Sequence, residues 1–254
     1  MYRLLIAELR RLFKGRIFRW MVILITGGLT LFGLLLKVIQ ILIGRIVPAP
    51  ELLFTMVPTI APLMIGIFVI VSAGGEFSDG TLRNKIFCGS RRRDILISTI
   101  LSQCVCVTIL VSLFVLIALP VGRLLFGPFT ADMSDIVSLA VLYILTSAAI
   151  TVFYTGLQFI IGNSRSVIVV ALITALANQT IAGEVFRKLF PLSGDCTATG
   201  LKLAVMNIYD RFIPFSYFTG PIRYDASIYA VGLLAFAALC FIVSSTVFER
   251  RDIK

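Results

Sequence analysis

The run Gly75-Glu-Phe-Ser-Asp-Gly80 has the Gly-x-x-x-x-Gly spacing with which a phosphate loop wraps a nucleotide. Thr81 and Leu82 follow where such a loop needs Lys and then Ser or Thr, so the cation that would reach the terminal phosphates is missing and no ATP site is expected in this chain. Cys104 and Cys106 have the look of a metal or redox pair. Two residues along a helix turn a side chain by about 200°, however, and inert, lipid-buried thiols are the expectation. The sequence has no histidine, which removes the commonest general base and metal ligand. Its long uncharged runs, of which Trp20 to Leu36 is the first, offer no Asp, Glu, Lys or Arg from which a proton or ion relay could be built. Neither an enzyme nor an ion-coupled porter is expected, and no catalytic residue, cofactor or metal is assigned.

The chemistry that remains is concentrated in a polar island, Gly74 to Asp94, between two apolar runs. Glu76 to Ile86 reads as a short helix with Gly80 as its weak point. Gly89 and Ser90 break the chain before a second helix, which Ser90 can cap. Arg91, Arg92 and Arg93 form a basic cluster suited to lipid headgroups, where each basic residue gains about 1 kcal/mol, and their expected job is to fix topology.

The elements that must carry this island are helices in lipid. Of 254 residues 59% are hydrophobic and 14% charged, whereas a soluble domain carries about 25% charged residues. Six apolar runs, near residues 17–37, 52–73, 95–120, 136–160, 166–183 and 226–248, approach or exceed the length that crosses roughly 30 Å of hydrocarbon. Arg165 divides the fourth from the fifth, because a charge at mid-bilayer costs about 2.5 to 3.5 kcal/mol. The expected fold is all-α, a single polytopic membrane domain over residues 1–254 with a loop at 74–94 and a long outer segment at 184–225.

Six crossings put both termini on one side. Arg3, Arg10, Arg11, Lys14, Arg16 and Arg19 fall there with Arg83, Lys85, Arg91 to Arg93, Arg165, Arg250, Arg251 and Lys254. By the positive-inside rule that side is cytoplasmic, and the net charge of +10 reports topology and lipid attraction, with no nucleic acid as partner. The N-terminal run shows no clear cleavage site and reads as retained. Leu5, Leu9, Leu12 and Phe13 face away from Arg3, Arg10 and Lys14, which suits an amphipathic helix on the inner leaflet; a plain basic flank is the other reading. Among the cysteines only Cys196 would face outside, so no disulfide framework is expected. In the outer segment Tyr209, Phe212, Phe215, Tyr217 and Phe218 suggest an aromatic belt at the interface, and Asn178 and Gln179 should face another helix.

Glu76, then Gly80-Thr81, then Arg83 and Lys85, then Ser90-Arg91 ahead of the third of six spans resembles the cytoplasmic loop of ABC-2 type permeases. The basic N-terminus, the prominent segment before the last span and the short tail fit the same layout. The resemblance implies a coupling helix after the second span that docks on an ATPase of the ABC class, through Glu76, Phe77, Asp79, Gly80, Thr81, Arg83 and Lys85. Phe77 would be an apolar anchor, and Glu76 and Arg83 ionic contacts. Arg10, Arg11 and Lys14, with Arg91 to Arg93, would anchor the inner surface. It further implies a second permease subunit, as homodimer or heterodimer, ATP and Mg held on the ATPase, and a bacterial cell membrane with both termini cytoplasmic. The implied function is export of an apolar or amphipathic cargo. The alternative from the residues alone is a non-transporting scaffold or sensor that recruits a soluble partner through the basic loop.

Overall fold

The computed structural model describes residues 2–43, 50–78, 80–191, 200–219, 222 and 224–250. Among them the chain forms helices α1 (Tyr2–Lys14), α2 (Arg16–Ile43), α3 (Leu52–Ser78), α4 (Thr81–Phe87), α5 (Arg92–Phe126), α6 (Met133–Ile161), α7 (Ser164–Leu189), α8 (Gly200–Phe212) and α9 (Ala226–Arg250), with a 3-10 turn at Pro214–Phe218. The described residues contain no strand. Six helices, α2, α3, α5, α6, α7 and α9, are long and apolar enough to cross a membrane.

A helix covers each expected span, and several of the helices run well past the expected boundaries. The third, placed at 95–120, continues through Pro120 and Arg123 to Phe126, and the fifth, placed at 166–183, continues to Leu189. Hydropathy reports where the solvent changes, whereas the backbone keeps its helical bonds until a residue such as Gly127 or Phe190 ends them. Pro58 and Pro62 both lie inside α3 without breaking it.

α3 is the central post, packed against α5, α6 and α7, while α2 and α9 keep exposed apolar flanks. The main core joins Leu53, Val57, Phe68 and Ile70 of α3 with Val107 and Phe114 of α5 and Ile150 and Tyr154 of α6. A polar seam runs through the bundle: Ser98, Thr99, Ser102 and Gln103 of α5 are buried beside Thr146, Ser147, Thr151 and Thr155 of α6. Most of these hydroxyls bond back to a carbonyl three or four residues earlier, as Thr151 does to Ser147 O at 2.7 Å, which satisfies them without a partner helix. Gln103 reaches across, donating from Nε2 to Ser72 Oγ at 2.7 Å. Cys106 joins the apolar core and Cys104 Sγ lies 3.6 Å from Ala148 O; Cys196 is outside the described residues.

The expected aromatic belt is largely an internal wedge. Phe215, Tyr217 and Phe218 are buried, while Phe212 stays exposed. Tyr217 donates to Arg211 O and meets Tyr229 edge-on at 4.8 Å. Asn178 and Gln179 do face other elements: Tyr209 donates to Asn178 Oδ1 at 3.1 Å, and Gln179 Nε2 points to Thr59 O at 3.4 Å. Belt and wedge share a composition, so only the packing separates them. The wedge seats against Gly232, where an added Cβ would collide with the Tyr217 hydroxyl and the Arg211 carbonyl. Gly232→Ala is therefore expected to destabilise the protein by about 2 kcal/mol, the scale of overpacking, read as a lowered thermal midpoint in detergent.

Candidate functional site

At the basic end of the bundle α3 stops at Ser78 and α4 begins at Thr81, with Gly80 between them at φ +67°. That left-handed conformation favours glycine and turns the chain sharply. Gly80 O then accepts from Asn84 N at 3.2 Å to start α4, and Thr81 Oγ1 donates to Glu76 O at 3.1 Å. The expected single helix from Glu76 to Ile86 is thus two helices meeting at a joint. Gly80 breaks it because the αL conformation cannot continue a right-handed helix.

Two carboxylates and two cations occupy the inside of this joint. Glu76, near the end of α3, is 1% exposed. It bonds Lys85 of α4, with Nζ to Oε2 at 2.6 Å, and pairs with Arg11 of α1. Glu8 of α1, equally hidden, pairs with Lys85 and holds Arg11 at 2.8 Å. The four formal charges cancel, which is the condition under which ions tolerate burial. α1 is therefore tied to the α3–α4 joint through a face that carries an acid as well as Leu12, beyond what a helix lying on a leaflet would need.

An apolar platform lies next to the ion cluster. Leu82 of α4 packs with Ile95, Leu96 and Ile100 of α5, Phe159 of α6 and Phe248 of α9, with Leu4, Phe77 and Ile86 against them. The basic cluster that follows does more than mark topology. Arg92 Nη1 donates to Phe248 O at 3.2 Å and Glu249 O at 3.0 Å, closing the last turn of α9, and Arg93 pairs with Glu249. Arg91, the backbone N-cap of α5, is exposed, and Ser90 makes no side-chain cap.

Several site expectations change accordingly. Glu76 is consumed inside the protein by Arg11 and Lys85, so it offers no surface contact, and Lys85 is largely covered with it. Phe77 meets Phe159 edge-on at 5.3 Å and is a platform residue, no free anchor. Gly80 makes the left-handed turn, and Thr81 ties the joint. Arg83, Arg10 and Lys14 are exposed; Asp79 lies outside the described residues. The residue that stands out is Phe87, 86% exposed at the end of α4, with Arg83, Asn84 and Cys88 exposed around it. A signal for it exists in the sequence: Leu82 and Ile86 form an i, i+4 pair facing the platform, and the next residue lies about 100° round the helix from Ile86.

The architecture defines a class, an all-helical protein compatible with several membrane crossings, with a short helix held by buried ion pairs at one end. Within that class the chain belongs to the family described as "Protein of unknown function (DUF2705)", which matches residues 43–254. The match takes in Glu76, Lys85 and Phe87, and begins after α1. No curated protein matches the chain.

Proposed function

We propose that this protein is the membrane subunit of an ABC-2 type exporter and that α4 is its coupling helix, seated in a groove of a separate ABC ATPase. The observation that carries the reading is the combination at α4: one apolar side chain, Phe87, fully presented beside Arg83 and Asn84, on a helix whose other face is fixed by buried ion pairs and an apolar platform. A lever that transmits force needs both a grip and a rigid mount, and sequence analogy to the permease loop supplies the partner. ATP and Mg are held by that ATPase, whose closure moves α4 and α1 as one body and shifts the balance between two states of the spans. The basic end faces the cytoplasm, a side that the positive-inside distribution supports, and the permease resemblance points to a bacterial cell. A second permease copy or a related chain completes the pathway, against exposed apolar flanks such as those of α2.

The test is purification of the full chain from its native membrane in mild detergent, with bound proteins identified by mass spectrometry. An ABC ATPase in stoichiometric amount is expected, lost when residues 81–88 are replaced by a Gly-Ser linker. Retention of the ATPase by the linker variant removes α4 from the coupling role, and its absence from the native sample removes the exporter reading.

A further inference from the structure

At the opposite end of α3 from the ion joint, a cavity of about 500 Å³ opens between the first turns of α3 and α6, α7 and the 3-10 turn. That is the size of an ordinary small-molecule site. Its composition is one-sided. Its lining includes Glu51 and Asp135 together with Phe54, Tyr143 and Phe218 and, among the described residues, no Lys or Arg, in a chain whose net charge is +10.

The rings form a continuous wall, with Phe54 to Tyr143 at 5.6 Å and Tyr143 to Phe218 at 5.5 Å between centroids. Aromatic faces carry negative potential and attract cations. Pro58 and Pro62 line the same cavity. Each lacks an N–H, so the carbonyls of Phe54 and Pro58, four residues back, lose their helical donors. Gln179 spends its Nε2 on Thr59 O. Glu51 is built into place: Oε1 accepts from Thr130 N at 2.5 Å, Thr130 Oγ1 at 3.0 Å and Ala131 N at 3.0 Å. Burial works against its ionisation, but the amides of Ala131 and Thr130 outweigh it and hold the carboxyl below the usual range. Asp135 is exposed in the first turn of α6.

We infer that this cavity is a binding site for an amphipathic organic cation, with the ammonium head between the Phe54, Tyr143 and Phe218 rings and the Asp135 and Glu51 carboxylates, and an apolar tail along Ile136 and Leu139. An anion would meet two carboxylates with no basic side chain among the described lining residues. A neutral apolar molecule would leave both charges unused. The site stands apart from the exporter reading, since it is complete within one chain and needs no ATPase.

The experiment uses the full chain in nanodiscs of a neutral galactolipid, titrated with 4-phenylbutyltrimethylammonium by saturation-transfer NMR, with 4-phenylbutanesulfonate as the charge-reversed probe. Saturable binding of the cation alone is expected. Asp135→Asn should weaken it about tenfold, Tyr143→Leu by a similar factor, and Tyr143→Phe should leave it unchanged, because the ring is what the cation reads. Repeating the titration in phosphatidylcholine separates two sources of the same chemistry. A weakened signal there names the lipid's own choline headgroup as occupant, an unchanged one names a free solute, and both uphold the site. Equal binding of the two probes overturns the inference. So does an Asp135→Asn variant with native affinity, whose exposed position keeps the test valid if Tyr143→Leu fails to fold.

Discussion

Phe87→Asp is expected to abolish ATPase capture while leaving the protein's own stability within about 0.5 kcal/mol of native, because a side chain 86% exposed has little to lose on substitution. In an interface the same ring behaves differently. A buried aromatic anchor costs about 2 to 4 kcal/mol when truncated, which is roughly 30- to 1,000-fold in affinity, and an aspartate in the groove adds the desolvation of a charge. Phe77→Ala provides the contrast. That ring packs on Phe159 inside the platform, so its loss should cost about 3 kcal/mol of stability and weaken capture only as far as α4 loosens. Measured side by side, thermal midpoint and stoichiometry of co-purified ATPase separate an anchor from a support. Native capture by Phe87→Asp would show that α4 does not grip the ATPase through its exposed end.

The contrast between the two phenylalanines also shows where sequence reasoning stops. The six long apolar helices were legible because the residues themselves leave a one-dimensional record: long runs of apolar residues, and basic clusters such as Arg91 to Arg93 beside them. The joint at Gly80 was half legible, as a weak point in a short helix. Its sharpness depends on a positive φ that the residue type permits and does not require. Glu76 was found and misassigned. A carboxylate in a polar loop looks exposed, and its burial depends on Glu8 and Arg11, some 65 residues earlier, arriving from a helix read only for its amphipathic stripe. Arg92 and Arg93 were read as topology alone for the same reason, their partners lying at the end of α9. The misses at Glu76, Arg92 and Arg93 are long-range polar contacts, and period and hydropathy carry no information about those.

The ion joint itself gives the other large expected effect. Glu76→Met leaves Arg11 and Lys85 sharing one buried acid, Glu8, and Lys85→Met leaves two buried acids sharing Arg11. Each single variant strands a net charge, a situation that costs about 3 to 5 kcal/mol. The double variant Glu76→Met with Lys85→Met removes one charge of each sign and keeps the Glu8 to Arg11 pair at 2.8 Å, with two flexible apolar chains in place of the lost ions. Its destabilisation should therefore fall well below the sum of the singles, with a coupling of about 2 kcal/mol or more in a double-mutant cycle read by denaturant titration in micelles. The same cycle read as ATPase capture links structure to the proposed work. The single variants keep Phe87 intact yet release α1 from the joint, so capture should fall in them and recover in the double. Additive losses would mean that Glu76 and Lys85 do not depend on each other, and that the rigid mount of α4 lies in the Leu82 platform alone.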